Sequence, residues 1–334
     1  MSIRQKESVA SVTLAYNSAK VLSRQIDSLL RQSRPLDEII VVNNGSTDGT
    51  CELLAAKYSQ VTVLDLPSNL GAGGGYAAGL EYAASKRKHD WVWLLDDDSV
   101  PMENGLEILL EAAAMTEGSS QNVGVMASVP SHSATQLSYP GMIWRNGWKR
   151  PAAEFSNRPV CFVDAVISSG SLVRREIVER VGLPRADFFI DFVDFEYCLR
   201  IRRFGYRIGI VRDSILEHEV GRVRTIRMFG YSKVWADHAP WREYYLSRNY
   251  TSTIWEYFPD VRSKLFVLGW LFRHASAISL FGKKKGACLR MMLVGFLDGR
   301  AGRLGIRFLG NVEAKQLSSA GALQKTEIPS ALEP

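Results

Sequence analysis

The sequence predicts an α/β protein, a mainly parallel sheet with helices on both faces, followed by a basic helical region at the carboxyl end. Three observations lead there. Short β-rich runs alternate with amphipathic helical stretches from residue 8 to about 128, a rhythm that calls for parallel strands joined by covering helices. Each of the first four strands runs directly into polar or glycine-rich residues, and in such sheets ligands sit beyond the carboxyl ends of the strands. Beyond about residue 260 the pattern changes to apolar runs broken by clustered Lys and Arg.

The elements follow in order. Strands are expected at Val9 to Tyr16, Glu38 to Asn43, Val61 to Leu66, Trp91 to Asp96 and Val123 to Ser128, each rich in the branched and aromatic residues that pack on a pleated surface. Helices are expected between them: Ala19 to Gln32 with Ser18 as cap, Thr47 or Asp48 to Tyr58, and Gly75 to Lys88. From about 129 the alternation gives way to a Ser, Pro and aromatic segment suited to loops or a hairpin. Order returns at Val160 to Ser168, then a helix Arg174 to Val181, a helix Asp194 to Phe204 with Phe195, Leu199 and Ile201 inward, and a strand Tyr206 to Val211. A mobile-looking basic stretch follows His218, an aromatic-rich helix spans Trp241 to Tyr257, and the polar tail from about 312 is expected to be loose.

Composition excludes several classes. The 334 residues are 46% hydrophobic, with 27 Gly and 12 Pro, enough apolar surface for a large core and too little Gly and Pro for a disordered or collagen-like chain. Cys51, Cys161, Cys198 and Cys288 form no CxxC pair, so neither a disulfide framework nor a zinc knuckle is indicated, and a reducing compartment is expected. The first residues lack the apolar stretch of a secretory signal. The formal charge is +6, and from Arg262 to Arg307 there are ten Lys or Arg against Asp298 alone, leaving 31 bases and 34 acids elsewhere. The positive excess is therefore a property of the carboxyl end, which points to an anionic surface, not to nucleic acid.

Candidate chemistry gathers where the strands end. Strand one reaches Ala15-Tyr16-Asn17, strand two Asn43-Asn44-Gly45-Ser46-Thr47-Asp48, strand three Asn69-Leu70-Gly71-Ala72-Gly73-Gly74-Gly75, and strand four Asp96-Asp97-Asp98. Singly, each has a plain structural reading as a turn, a helix cap or a solvated loop. Three adjacent carboxylates repel one another unless a cation sits among them, and hard oxygen ligands beside a phosphate loop describe a Mg2+ or Mn2+ site. His218, between Glu217 and Glu219, offers an imidazole ligand or a merely structural histidine. Asn43 presents an amide able to read a nucleobase edge, and the glycines let backbone pass close to a ligand. Asp194 and Glu196 open a helix, where carboxylates are favoured by the dipole or serve as a general base.

Taken in order, SVTLAYN, EIIVVNNGSTDGT, the Asn-Leu-Gly segment, LLDDDSVP, FIDFVDFEYCLR and the later His218 resemble the family-2 glycosyltransferases with a GT-A fold, over roughly residues 8 to 250. NLGAGGGYAAGLEYA with DWVWLLDDD looks most like bacterial galactofuranosyltransferases, whereas FIDFVDFEYCLR with APWREYYLSRN is equally similar to rhamnosyltransferases. The resemblance implies that Ala15, Tyr16 and Asn17 flank the pyrimidine of a UDP- or dTDP-sugar, with Asn69, Gly71 and Gly74 also on the donor. Asn43 stands where the family usually has an Asp that accepts from the base. It also implies that Asp96 and Asp97 face ribose and diphosphate, that Asp98 and His218 hold the metal, and that Asp194 is the catalytic base. Val193 follows the rhamnosyl pattern, where galactofuranosyltransferases tend to carry a second Asp. Arg248 is a candidate second cation for a diphosphate, or an aromatic-stacked arginine.

The same resemblance implies a catalytic domain over 1–240, divided into a nucleotide-sugar half (8–128) and an acceptor half (129–240), a basic helical region over 241–311, and a tail over 312–334. Its expected acceptor is a polyprenyl-diphosphate-linked glycan met at the cytoplasmic face of the membrane. No window reaches the roughly 20 apolar residues of a spanning helix. Instead Trp270, Phe272 and Phe281 would enter the interface of an anionic bilayer, or the arm would pack on the catalytic domain or a second copy. Two rivals compete. Gly73-x-Gly75-x-x-Ala78 loosely fits a dinucleotide fingerprint, although it follows the third strand and precedes more carboxylates than a ribose needs. A non-catalytic sugar-nucleotide binder is the other, against which the intact Asp98, Asp194 and His218 argue.

Overall fold

Alternate residues of the central strands bury on opposite faces, and that period of two builds the molecule. In the computed structural model, which describes residues 7–117, 122–131, 141–145, 147–149, 158–218, 223–228 and 231–308, strands β1 (Val9–Ala15), β2 (Glu38–Asn43), β3 (Thr62–Asp65) and β4 (Trp91–Asp96) run parallel. Val12, Ile40, Val42, Val92 and Leu94 face one core, shared with Tyr76, Leu80, Ile177 and Ile201. Val9, Ile39, Val41, Trp91 and Trp93 face the other, shared with Ile26, Leu54, Leu106 and Leu109. Helices α1 (Leu22–Leu30), α2 (Thr50–Lys57) and α4 (Gly105–Glu117) supply the second core, and α3 (Gly71–Leu80), which continues as a π-helical turn over Glu81–Lys86, supplies the first.

The remaining strands are β5 (Ser99–Pro101), β6 (Val123–Ser131), the short hairpin β7 (Ile143–Trp144) and β8 (Trp148–Lys149), β9 (Val160–Val163), β10 (Ser171–Arg174) and β11 (Arg207–His218). The sheet order is β3-β2-β1-β4-β10-β6-β11-β5, with β9 also paired to β11. Strand β10 lies antiparallel between β4 and β6, whereas β6 and β11 are parallel to each other. Helices α5 (Arg175–Val181) and α6 (Val193–Arg203) cover the first core. A mixed α/β architecture with a mainly parallel sheet is therefore what the chain adopts.

Differences from the expected elements have local causes. Strand β11 continues seven residues past Val211, through a register shift between Val211 and Ile215, because its end pairs with β5. The basic stretch expected to be mobile contains an antiparallel hairpin, β12 (Val223–Met228) with β13 (Tyr231–Ala236). The tail from 312 lies outside the described residues.

Helices α7 (Pro240–Tyr257), α8 (Val261–Phe281) and α9 (Lys285–Arg300) form the carboxyl-terminal layer. Pro240 occupies the first turn of α7, where no amide donor is needed. Asp260 caps α8 by accepting from the Ser263 amide at 3.0 Å. Helices α7 and α9 approach closely through two glycines: a Cβ added at Gly295 would stand 2.3 Å from the Tyr244 carbonyl oxygen, and one at Gly299 2.3 Å from that of Arg248. Of the three aromatics expected on the outer apolar side, only Phe272 is there, 77% exposed. Trp270 instead stacks on His274 and packs against Tyr250, and Phe281 joins the same inner cluster. No described helix is long and apolar enough to cross a membrane, and all four cysteines are free.

Candidate active site

The parallel register brings the strand ends to one rim. Ala15 pairs with Asn43, Asn43 with Asp65, and Leu14 with Asp96. At the other side of β4 the chain turns through Asp97 and Asp98 into β5, where Ser99 pairs with His218. That antiparallel register carries His218 across more than a hundred residues of chain to the acidic turn.

His218 Nε2 lies 3.3 Å from Asp96 Oδ2 and 3.4 Å from Asp98 Oδ1, and the three side chains present ligand atoms all within 4.8 Å of one another. Burial works to lower the imidazole's affinity for a proton, but the hydrogen bond to Asp96 and the charges of Asp96, Asp98 and Asp97 outweigh it and raise its pKa. An imidazole nitrogen facing two carboxylates needs a positive charge between them, either its own proton or a metal ion. Two carboxylates and one imidazole, partly buried, fit a divalent ion such as Mn2+ or Mg2+. Asp96, assigned to the donor from the sequence, belongs to this cluster. Its amide donates to Ser169 Oγ at 3.0 Å, and its Oδ1 accepts from the Tyr76 hydroxyl at 2.5 Å. Neither partner was foreseen, since Tyr76 reads as an ordinary buried helix residue.

Asp97 turns the other way. Its Oδ2 accepts from the Tyr16 amide at 3.1 Å, and burial, then the charges of Asp96 and Asp98, push its carboxyl up to about 7. Asn17, in the left-handed region at φ 52°, ties the end of β1 to the next loop: its amide donates to Ser46 Oγ, and its Oδ1 accepts from the Thr47 amide. Asn43 Nδ2 donates to Asp65 Oδ1 at 2.7 Å while its Oδ1 accepts from the Ser46 amide at 3.3 Å. Tyr16, Asn17 and Asn43 are thus gathered at one end of β1 and β2, next to Asp97.

Packing gives three of the candidate donor positions structural partners of their own. Asn69 is buried, and its Oδ1 accepts from Asn44 Nδ2 and from the Gly71 amide, so it latches the β3–α3 connection. The glycines after it are not an open loop but the first turns of α3, and what they admit is the protein's own backbone or side chain. A Cβ at Gly71 would stand 2.2 Å from the Phe189 carbonyl oxygen, and one at Gly74 would stand 2.5 Å from Leu70 Cβ. Gly71 also has φ +70°. Gly71→Ala is therefore expected to lower the stability of the ligand-free protein by about 1–3 kcal/mol, read as a fall in melting temperature. An unchanged melting temperature with lost nucleotide binding would restore the ligand-facing role. Arg248 is fully buried, with its guanidinium against Tyr245 and its donors on backbone carbonyls, the aromatic-stacked placement of the two open from the sequence.

Asp194 is the second residue of α6. Among the acids of its segment, Asp191 is gripped by Arg242 through two bonds of 3.1 and 3.0 Å, and Glu196, 1% exposed, is paired with Arg200 and accepts from the Tyr257 hydroxyl. Asp194 has no cation partner among the described residues. Burial, followed by the charges of Asp191 and Asp96, pushes its carboxyl up to about 7, against the opposing hydrogen bond from the Phe195 amide. A carboxylate poised there is a proton acceptor at neutral pH.

Comparisons with known proteins bear on the family and the fold. Residues 11–182 match the model of glycosyl transferase family 2. The chain is 26% identical over 220 residues to galactofuranosyltransferase GlfT1 of Mycolicibacterium smegmatis, covering 64% of this chain and 72% of that protein. It is 23% identical over 242 residues to the dTDP-rhamnosyl transferase RfbF of Shigella flexneri, covering 72% and 78%. Among solved structures, GalNAc-T7 with UDP, GalNAc and Mn2+ aligns with a TM-score of 0.59 at 16% identity, over 88% of this chain and 56% of that one, which is a likeness of fold.

Proposed function

The chain belongs to glycosyl transferase family 2, and from that premise we propose an inverting, metal-dependent transfer of galactofuranose from UDP-galactofuranose to a polyprenyl-diphosphate-linked or polysaccharide acceptor in cell-envelope glycan synthesis. The observation that carries it is the Asp96, Asp98 and His218 cluster beside the end of β4, close enough to Asp194 for the Asp96 charge to raise that carboxyl, which has no cation partner among the described residues. In this reading Asp194 takes the proton of the acceptor hydroxyl as that oxygen attacks the anomeric carbon. The bond to the diphosphate breaks on the opposite face, so the configuration inverts. Asp96, Asp98 and His218 would hold Mn2+ or Mg2+, which would supply positive charge to offset that developing on the departing diphosphate. Tyr16, Asn17, Asn43 and Asp97 border the nucleoside.

A dTDP-rhamnose donor is the second reading, favoured by Val193 and by the longer reach of the similarity to RfbF. Incubating the protein with Mn2+ and each donor, and measuring nucleoside diphosphate release and melting temperature, separates them. A donor at 100 times its dissociation constant adds about 2.7 kcal/mol of stability. Release from neither, with no thermal shift, would overturn both readings.

The functional division is drawn near residue 240: residues 1–240 hold donor and acceptor, and residues 241–311 meet the cytoplasmic face of an anionic membrane where a lipid-linked acceptor resides. Support comes from α8, on which Val261, Leu265, Leu268 and Phe272 are exposed at helical spacing beside the ten bases of this region. Each Lys or Arg near such a surface contributes about 1 kcal/mol, and apolar insertion adds burial. The full chain is expected to float with anionic vesicles at low salt, and Phe272→Glu with Leu268→Glu to release it. A protein that ignores such vesicles, or self-associates through this stripe, would move the arm to a homo-oligomer interface.

A further inference from the structure

The segment leading into α6 is strained. Phe189, Asp191 and Phe192 have φ of 63°, 60° and 63°, a region that bulky side chains enter only when their surroundings force it, at about 1–3 kcal/mol each. Phe192 directly precedes the first turn of α6, so its conformation sets the direction of that turn and of Asp194 within it.

Every carbonyl from 187 to 191 is engaged. Asp187 O accepts from Arg248 Nη2 at 2.9 Å and from the Gly305 amide at 2.9 Å. Phe188 O accepts from Arg248 Nη2 at 3.1 Å and Asn249 Nδ2 at 2.8 Å, and Phe189 O accepts from the Gly73 amide at 3.1 Å. Ile190 O and Asp191 O accept from Asn249 Nδ2 at 2.8 and 2.9 Å. Arg242 holds the Asp191 carboxylate, and Arg248 Nη1 reaches Gly305 O at 2.5 Å. Arg248 and Asn249 are both wholly buried, so neither touches a substrate from solvent.

We propose that Arg248 and Asn249, assisted by Arg242, are positioning residues: from α7 they clamp the strained 187–192 segment against α3 and thereby aim Asp194 at the reacting hydroxyl. The proposal rests on Asp194 acting as the base. Neighbouring side chains Arg248 and Asn249 supply donors for four of the five carbonyls, and the fifth is held by α3. Loss of those donors lets residues 189, 191 and 192 relax toward ordinary φ, and the first turn of α6 turns with them. Because Gly305 is tied to both Arg248 and Asp187, the chain beyond α9 is part of the clamp.

The test uses the full chain carrying Asn249→Ala, Arg248→Lys or Arg242→Gln, the last at a half-exposed site that spares the core. Three quantities are read: UDP affinity with Mn2+ by calorimetry, kcat and KM for nucleoside diphosphate release from UDP-galactofuranose and dTDP-rhamnose, and amide exchange across 187–194. The expected result is faster exchange confined to 187–194, unchanged UDP affinity and donor KM, and kcat lower by roughly 10- to 100-fold, the scale of a misplaced reacting group. Arg242→Lys is expected to recover part of the kcat lost in Arg242→Gln. Normal protection of 187–194 in Asn249→Ala, or faster exchange there with unchanged kcat, overturns the proposal. A wild-type chain that binds UDP yet releases nucleotide from neither donor overturns the functional reading instead, and exchange in Asn249→Ala then decides whether the clamp exists.

Discussion

Asp194→Asn is expected to leave UDP binding nearly intact and to lower transfer by at least ~100-fold, the usual scale for a lost general base. Asn keeps the shape, and its side-chain oxygen can still accept from the Phe195 amide, but it takes up no proton at neutral pH. In the wild type, kcat/KM should rise as pH increases through about 7, where Asp194 ionises. The charges that raise it are those of Asp191 and Asp96, and Tyr76 and Cys198, held by burial above their usual ranges and raised further by Asp194 itself, stay neutral. The same shift makes a statement about stability. Because the folded carboxyl titrates near 7 and the unfolded one near 3.8, its proton stabilises the fold fully below 3.8, and that contribution is lost as pH rises through 7. At pH 8 the wild type thus carries a partly buried charge that Asp194→Asn lacks, and the variant should be the more stable, by at most about 4 kcal/mol before solvent screening and relaxation of neighbouring groups. A variant that transfers at the wild-type rate would move the base elsewhere; Asp191 and Glu196 are poorer candidates, since Arg242 and Arg200 neutralise them.

The four parallel strands were legible because period-two alternation and strand-end chemistry are local properties of the chain. Asp96 to Asp98, Asn43 and Asp194 could be singled out for the same reason: each sits at a boundary where hydrophobic patterning stops and a short polar motif begins. Contacts between distant segments left no such trace. Strand β10, only Ser171–Arg174, enters the sheet antiparallel between β4 and β6, and four residues hold too little pattern to announce it. The glycines after Asn69 signalled close approach correctly, but what approaches, the Phe189 and Arg185 carbonyls, lies more than a hundred residues away in sequence. Between the two readings open for Arg248, a diphosphate cation or an arginine stacked on aromatics, the sequence alone offers no choice, and the structure places it against Tyr244 and Tyr245. Its burial depends on the Asp187, Phe188 and Gly305 carbonyls turning their oxygens toward its guanidinium, and nothing in the local sequence states that. His218 sits between these cases: the residue type suggested a ligand, while only the pairing of Ser99 with His218 explains how it reaches the acids.

Asp98→Ala and His218→Ala are each expected to weaken Mn2+-dependent UDP binding by about 10- to 100-fold or more, given that changes even outside the immediate ligands produce losses of that size at metal sites. Chelation of the wild type should abolish transfer and be reversed by Mn2+ or Mg2+. The reasoning is geometric: β5 fixes Ser99 opposite His218, which brings the imidazole to the Asp96 and Asp98 carboxylates. Removing His218 leaves two facing carboxylates with one neutral ligand fewer; removing Asp98 leaves Asp96 and the imidazole, too little negative charge to compete with water for a hard cation. Asp97→Asn is the internal control. Its carboxylate accepts from the Tyr16 amide, on the side of the turn proposed to border the nucleoside, so the substitution should weaken UDP binding without changing how steeply that binding depends on Mn2+. Calorimetric titration of UDP at several Mn2+ concentrations separates the two patterns. Equal Mn2+ dependence in all four proteins, wild type included, would detach the cluster from the metal and leave His218 as a counter-charge that holds the acidic turn closed.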